Sequence, residues 1–326
     1  MRCLLLSAAL IGLAVSSSAH AASALLLVVD RDGDALVVVD PATKKVRARV
    51  AVGHSPHEVA ASADGKLAFV ANYGDATPGS SLSVVDLETA KELRRVDLGA
   101  FRRPHGLAVV EGTVYFTAEM NRAVGRYDPK TDKVDRIVGL GREGTHMIVA
   151  SPDGKALYTT DIGSGSVSVI RRDTGKIALV SVGGHPEGLA ISPDGREVWA
   201  GQREGGEVAI IDTEKNVVKA TITLSASMAA RLRFTPDGKR VLVPDPQSDL
   251  LIVVDARTHK EAAKLSLAGA PLGVVTDPEG RFAYVGLAGE KKVAVIDLND
   301  LTVTSTFDVG QIADGMGWAV APSGPK

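Results

Sequence analysis

The sequence is short of the residues that carry most enzyme chemistry. It has one cysteine in 326 residues, Cys3, and that residue falls in an apolar leader. A mature chain without a thiol forms no disulfide, holds no iron–sulfur cluster and attaches no haem through Cys-X-X-Cys-His. Aromatic residues make up 4% of the chain, with Trp199 and Trp318 as the two tryptophans, which excludes a stacking platform for sugars or bases. Lys and Arg number 37 against 39 Asp and Glu, and the formal charge of −2 is scattered over the chain, so no basic face offers itself to nucleic acid. The runs Lys44-Lys45 and Arg102-Arg103 read as solvated turns. Beyond the leader no apolar run is long enough to span a membrane. No stretch keeps a 3.6-residue period. Nucleotide chemistry is not signalled either, because Gly141-Arg142-Glu143-Gly144-Thr145 lacks the Lys and the helix of a phosphate loop.

What the chain does have is repetition, with a period of about 43 residues. One marker is a turn: Ser62-Ala63-Asp64-Gly65-Lys66, Ser151-Pro152-Asp153-Gly154-Lys155, Ser192-Pro193-Asp194-Gly195-Arg196, Thr235-Pro236-Asp237-Gly238-Lys239 and Asp277-Pro278-Glu279-Gly280-Arg281. Degenerate copies sit at Val110-Glu111-Gly112 and Pro322-Ser323-Gly324. The second marker is an aliphatic strand ending in Asp, at Asp40, Asp86, Asp128, Asp212, Asp255 and Asp297, with Arg171 in the missing slot. Both markers count to seven. Each unit reads as four short Val- and Ile-rich strands joined by Asp-Gly and Asp-X-X-Thr turns. Short strands at a fixed period of this length predict an all-β, seven-bladed propeller with four antiparallel strands per blade. The N-terminal strands at 24–30, 35–40 and 46–52 lack a fourth partner, and the C-terminal strand at 315–321 supplies it. One shared blade therefore closes the ring.

Phe69-Val70-Ala71-Asn72, Tyr158-Thr159-Thr160-Asp161 and Tyr284-Val285-Gly286 occupy the slot of a Tyr-Val-Thr-Asn signature. Together with the Ser-Pro-Asp-Gly-Lys and Val-Ile-Asp-X-X-Thr elements, they make residues 24–324 resemble the YVTN-type β-propeller repeat proteins. The resemblance implies the fold and no single activity, since that family contains surface-layer and periplasmic members alike and propellers host unrelated chemistries.

The first 21 residues read as a signal peptide: Arg2 as the positive end, Leu4 to Val15 as the apolar stretch, and Ala19-His20-Ala21 as a small-X-small cleavage site. The expected product is one exported, periplasmic domain over residues 22–326, a monomer without a membrane span.

Lining up the repeats on the Asp-Gly turn gives a column seven residues upstream, with one residue of slack in the second unit: His57, His105, His146, Glu187, Ala230, Leu272, Met316. Three consecutive blades offer imidazole and the fourth a carboxylate. This position lies in the connection entering the innermost strand, so its side chains should converge at one mouth of the channel. The loop after the second strand reaches the same face and reads Asp30, Asn72, Glu119, Asp161, Gln202, Asp245, Leu287. One sector of the mouth is thus rich in His and acid, while Ala230, Leu272 and Met316 leave the rest apolar.

Neutral imidazoles with a carboxylate suit a divalent transition metal such as copper, zinc or iron. On this reading His57, His105, His146 and Glu187 are the ligands, with Glu119, Asp161 and His185 in support or contacting substrate. The plainer reading makes Pro-His-Gly and Pro-Glu-Gly simple turn formers. A turn needs the Pro and the Gly, however, and not the His. The Asp residues ending the third strands read as structural Asx turns. Three functions fit the sequence: a metal-binding propeller, an enzyme or not; a metal-free lyase or lactonase with His105 or His146 as general base; and a scaffold for a peptide or partner. In each the ligand is a small molecule or peptide on the channel-mouth face.

Overall fold

A computed structural model describes residues 24–320. Their strands form seven separate four-stranded sheets, each antiparallel, arranged as the blades of a propeller. Blade 1 is the closing blade, and blades 2 to 7 follow in chain order. The only helical segments among the described residues are single 3₁₀ turns at Glu119–Asn121 and Ile162–Ser164.

Local chemistry explains the blade. At each Asp-Gly turn the glycine sits at positive φ, as with Gly65 at 68° and Gly195 at 73°, where a side chain would be strained. The preceding acid secures the corner: Asp64 accepts from the Lys66 N–H and from the Ser62 hydroxyl. The Asp residues ending the third strands act as expected. Asp86 accepts from the N–H and the hydroxyl of Thr89, and Asp255 does the same for Thr258. Along the third strands both faces are buried, and strands such as Ala35–Asp40 and Leu250–Asp255 read as unbroken Val, Ile and Leu runs. The fourth strand alternates exposed and half-buried residues, as an outer edge should.

The core is divided into seven clusters, one at each interface between neighbouring blades. Between blades 5 and 6, for example, Trp199 packs edge-on to Phe234 at 5.5 Å. No blade buries its faces alone, so the ring is stable only as a ring.

Closure is supplied by Ala313–Val320, which pairs antiparallel with Ala24–Asp30 from Ala24↔Val320 to Asp30↔Ala313. This is the shared blade that the repeat count implies. The seven innermost strands surround the axis: Ala313–Val320, Pro56–Ala61, Pro104–Val110, Thr145–Ala150, Pro186–Ile191, Arg233–Phe234 and Pro271–Thr276. The leader at residues 1–21 lies outside the described residues.

Candidate functional site

The register along the innermost strands decides which side chains meet at the mouth. His57, His105, His146 and Glu187 each stand second in their strands, on blades 2, 3, 4 and 5. They belong to the strand itself and not to the connection before it. The seventh member of this column is Asp314, not Met316. Pro56 pairs with Asn72 in blade 2, and the equivalent pair in blade 1 is Ala313 with Asp30, which makes Asp314 the counterpart of His57.

The three imidazoles form one contiguous cluster, with His57 edge-on to His105. Nδ1 of His57 lies 3.2 Å from Nε2 of His105, and the rings of His105 and His146 face each other with centroids 3.6 Å apart. His57 also rests on Tyr73, centroid to centroid 4.3 Å. Burial holds His57 at a pKa of about 4, against the pull of Asp314. Burial likewise pushes His105 well below the usual imidazole range, and the charges of His146 and His57 would add to the effect. Both rings are therefore neutral at pH 7, and across the 3.2 Å contact one of them donates to the other.

Carboxylates flank the cluster. Oε2 of Glu119 lies 2.9 Å from Nδ1 of His146, and Tyr73 donates its hydroxyl to both Glu119 oxygens at 3.1 Å. Burial raises the Glu119 pKa, but the hydrogen bonds from His146 and Tyr73 outweigh it and hold the group below the usual range. An ionised Glu119 selects the His146 tautomer with its proton on Nδ1. The ring's other nitrogen, Nε2 of His146, faces Glu187. It is buried, has no hydrogen-bond partner among the described residues, and stands 3.8 Å from Oε1 of Glu187. The other oxygen of Glu187 takes a hydrogen bond from Arg203. Nδ1 of His105 is also buried without a partner among the described residues.

Two residues expected near this group are elsewhere in detail. Asp161 is fully buried inside blade 4, where it accepts hydrogen bonds from Thr145, Thr159, Ser166 and Ser168. Its neighbours in the column do similar work: Asp30 accepts from the N–H groups of Gln311 and Ile312, and Asn72 from that of Gly53. This column ties the loops down. His185 is exposed, and its carbonyl accepts from Arg203 N–H. Glu119 does not belong to the tie-down column, because Pro104 pairs with Ala118. It stands one residue further on, with Arg31, Tyr73 and Arg203, at the position that leans over the mouth.

That second mouth column escaped the sequence alignment, and so did the floor beneath the imidazoles. The residues following the first column are Glu58, Gly106, Met147, Gly188, Arg231, Gly273 and Gly315. Glycine is required at Gly273 and Gly315, where a Cβ would fall 2.0 Å from the Asp314 carbonyl oxygen and 2.2 Å from that of His57. The three members with side chains meet on the axis. Arg231 from blade 6 reaches Glu58 of blade 2 at 2.9 Å, Asp314 of blade 1 at 3.2 Å and the Met147 sulfur of blade 4 at 3.8 Å. Burial pushes Glu58 up to about 7, with Arg231 opposing it. Arg31 adds a longer contact to Asp314 at 3.6 Å.

Among the described residues no three His, Cys, Asp or Glu side chains already converge on one point as metal ligands. No helix among them is long and apolar enough to cross a membrane.

No family model matches the chain. It is 27% identical over 212 residues to the uncharacterized protein YncE of Salmonella typhi, covering 60% of each chain. It is 24% identical over 297 residues to protein NirF of Pseudomonas aeruginosa, covering 87% of this chain and 66% of NirF. The chain thus spans about 60% of the length of the first curated relatives it matches. Among solved structures, hydrazine synthase of Kuenenia stuttgartiensis superimposes with a TM-score of 0.74 at 20% identity, over 84% of this chain and 92% of that one. This likeness is one of fold, and it agrees with the propeller described above.

Proposed function

We propose that the mouth of the ring is a ligand site for a divalent transition metal, held by His57, His105, His146 and Glu187. The observation that carries this reading is the pair His146 Nε2 and Glu187 Oε1. With Nδ1 of His146 on Glu119, Nε2 has no hydrogen-bond partner among the described residues and stands 3.8 Å from Oε1 of Glu187. Metal–ligand distances are about 2.0–2.2 Å, so one ion can touch both atoms. Glu119 behind His146 supplies the carboxylate that orients a ligating imidazole and raises its basicity. His105 and His57 complete the set by re-aiming their rings. Metal analysis of protein purified without a His tag, followed by titration calorimetry with Zn²⁺ and Cu²⁺, tests the reading. Near-stoichiometric metal, or binding lost in both His146→Ala and Glu187→Gln, supports it. Wild-type affinity unchanged in those two variants, with both still folded, overturns it.

A second reading rests on the same dyad. Glu119 orients His146 through Nδ1 and leaves Nε2 without a protein partner among the described residues, the arrangement of a general base oriented by a carboxylate. It predicts that the chelator-treated protein keeps whatever activity it has, and that Glu119→Gln shifts the pH profile of that activity. For location, the reading retained from the leader is export to a periplasm with cleavage before Ala22. N-terminal sequencing of the cell-fractionated protein decides it, and an intact Met1 in the cytoplasmic fraction sinks it.

A further inference from the structure

The seam between blade 7 and the closing blade holds a cleft of about 320 Å³, within the size range of small-molecule sites. The turn at Asp277-Pro278-Glu279 lines one side, and Pro41, Ala42 and Lys44 line the other. This is the face of the ring opposite the imidazoles. The floor is made by buried Asp277, Tyr284 and Val295, with the half-buried rings of Phe282 and Trp318 beside them. Tyr284 and Trp318 meet edge-on, with centroids 5.3 Å apart. The three rings give the cleft an apolar wall.

Asp277 is a departure from the repeat. Four other turns open on a hydroxyl, that of Ser62, Ser151, Ser192 or Thr235, which accepts the N–H five residues on. In blade 7 one carboxylate oxygen does this work. Oδ1 of Asp277 accepts from the Arg281 N–H at 2.7 Å and from the Phe282 N–H at 2.8 Å. The corner is thus complete without the second oxygen. That Oδ2 has one cation near it, Nε of Arg281 at 3.7 Å, too far for a hydrogen bond. The Asp277 side chain is 7% exposed and that of Arg281 is 68% exposed, so solvent surrounds the cation and the pair is weak. Burial pushes the Asp277 carboxyl up, against the two N–H bonds. The remaining charges that line the cleft, Glu279 and Lys44, are of opposite sign. A spare carboxylate oxygen set beside aromatic rings is the combination that receives an organic cation.

We infer that this cleft binds a primary ammonium carried on an apolar body, with the ammonium on Oδ2 of Asp277 and the body against Phe282, Tyr284 and Trp318. The ammonium donates a charge-assisted hydrogen bond to the carboxylate, and a body of about seven carbons covers the rings. The site shares no residue with the imidazole mouth and stands whether or not that mouth takes a metal.

Cyclohexylmethylamine and its uncharged isostere cyclohexylmethanol are the probes, titrated at pH 7 into the full chain. Trp318 lines the cleft, whereas Trp199 is fully buried within the blades, so tryptophan emission reports binding. The expected result is a saturable emission change with the amine, lost in Trp318→Phe, and binding of the alcohol at least about tenfold weaker. Asp277→Ser installs the residue that other blades use at this corner, so the turn is kept while the carboxylate is removed. The two probes should then bind equally, as they should in Asp277→Asn. Arg281→Gln should tighten the amine and leave the alcohol unchanged, and His105→Ala should change neither. Calorimetry repeats the affinities without the fluorophore, and a thermal melt confirms that each variant is folded. No saturable binding of the amine by either method, equal affinity for both probes in the wild type, or a preference for the amine that survives Asp277→Ser each overturns the assignment.

Discussion

Arg231 and Glu58 meet at 2.9 Å across the axis of the ring, from blades 6 and 2. Their positions in the repeat are the same, one residue beyond the mouth column, and glycine fills four of the other five. The contact is therefore made by departures from the repeat, and it lies one residue beyond the imidazoles on the innermost strands.

Removing Arg231 exposes what it holds. In Arg231→Met two acids, Glu58 and Asp314, lose their enclosed counter-ion. Breaking a buried pair from one side costs about 3–5 kcal/mol. Urea denaturation at pH 7 checks this, and the cost should shrink in Arg231→Met combined with Glu58→Gln.

Glu58 also sets a pH dependence of its own. Its pKa is raised from 4.5 to about 7, so the folded state prefers the protonated acid. The stability it contributes is complete below pH 4.5 and is lost as pH rises through about 7. Glu58→Gln carries no such loss. Its stability relative to the wild type should therefore increase between about pH 4.5 and pH 7 and level off above that in the same denaturation assay.

His57 acts in the opposite sense. Its pKa falls from 6.5 to about 4, and the unfolded chain takes up the proton first. Stability present above pH 6.5 is lost as pH drops toward 4, by roughly 3 kcal/mol for a shift of this size. His57→Gln should flatten that limb of the stability curve. His105 works in the same direction, and the double variant should be flatter still.

His54 gives an internal contrast. It is an exposed residue whose Nδ1 lies 3.0 Å from Asp34 and whose Nε2 lies 2.9 Å from Asp75. The hydrogen bond to Asp34, then that to Asp75, raises it to about 9. In one NMR titration His54 should be the late imidazole and His57 the early one, and Asp34→Asn should bring His54 back toward 6.5.

Glu119→Gln tests the order of the mouth. It removes the acceptor that fixes the His146 tautomer. If a metal is bound there, its affinity should fall about 10–100-fold with the melting temperature nearly unchanged. Calorimetry beside a thermal melt separates the two effects.

The ring and its closure were legible because each blade repeats local turn chemistry, and a serine, an acid and a glycine in order need no distant partner. His57, His146 and Glu187 were legible for the same reason, since each stands seven residues before the acid of its turn, and His105 stands within one residue of that spacing. The column slipped where the turn did. Pro322-Ser323-Gly324 has no acid, and the pairing of Ala313 with Asp30 fixes the register of the last strand, which placed Asp314 rather than Met316 beside His57. The sequence column sets Glu119 in line with Asp30, Asn72 and Asp161 because the turn at Val110-Glu111-Gly112 is degenerate, and strand pairing moves it one place on. Arg231 and Glu58 lie 173 positions apart. Nothing local announces a contact of that kind, because only the closed circle brings them together.

The pairing of Ala24 with Val320 has a consequence for connectivity. The two ends of the described chain are neighbours on adjacent strands, so a short linker could join them without disturbing any blade. New ends could then be cut at an exposed corner such as Asp194-Gly195. A circle of seven equivalent wedges has no preferred beginning, and the rearranged chain should reach the same propeller with a different blade left to be completed last.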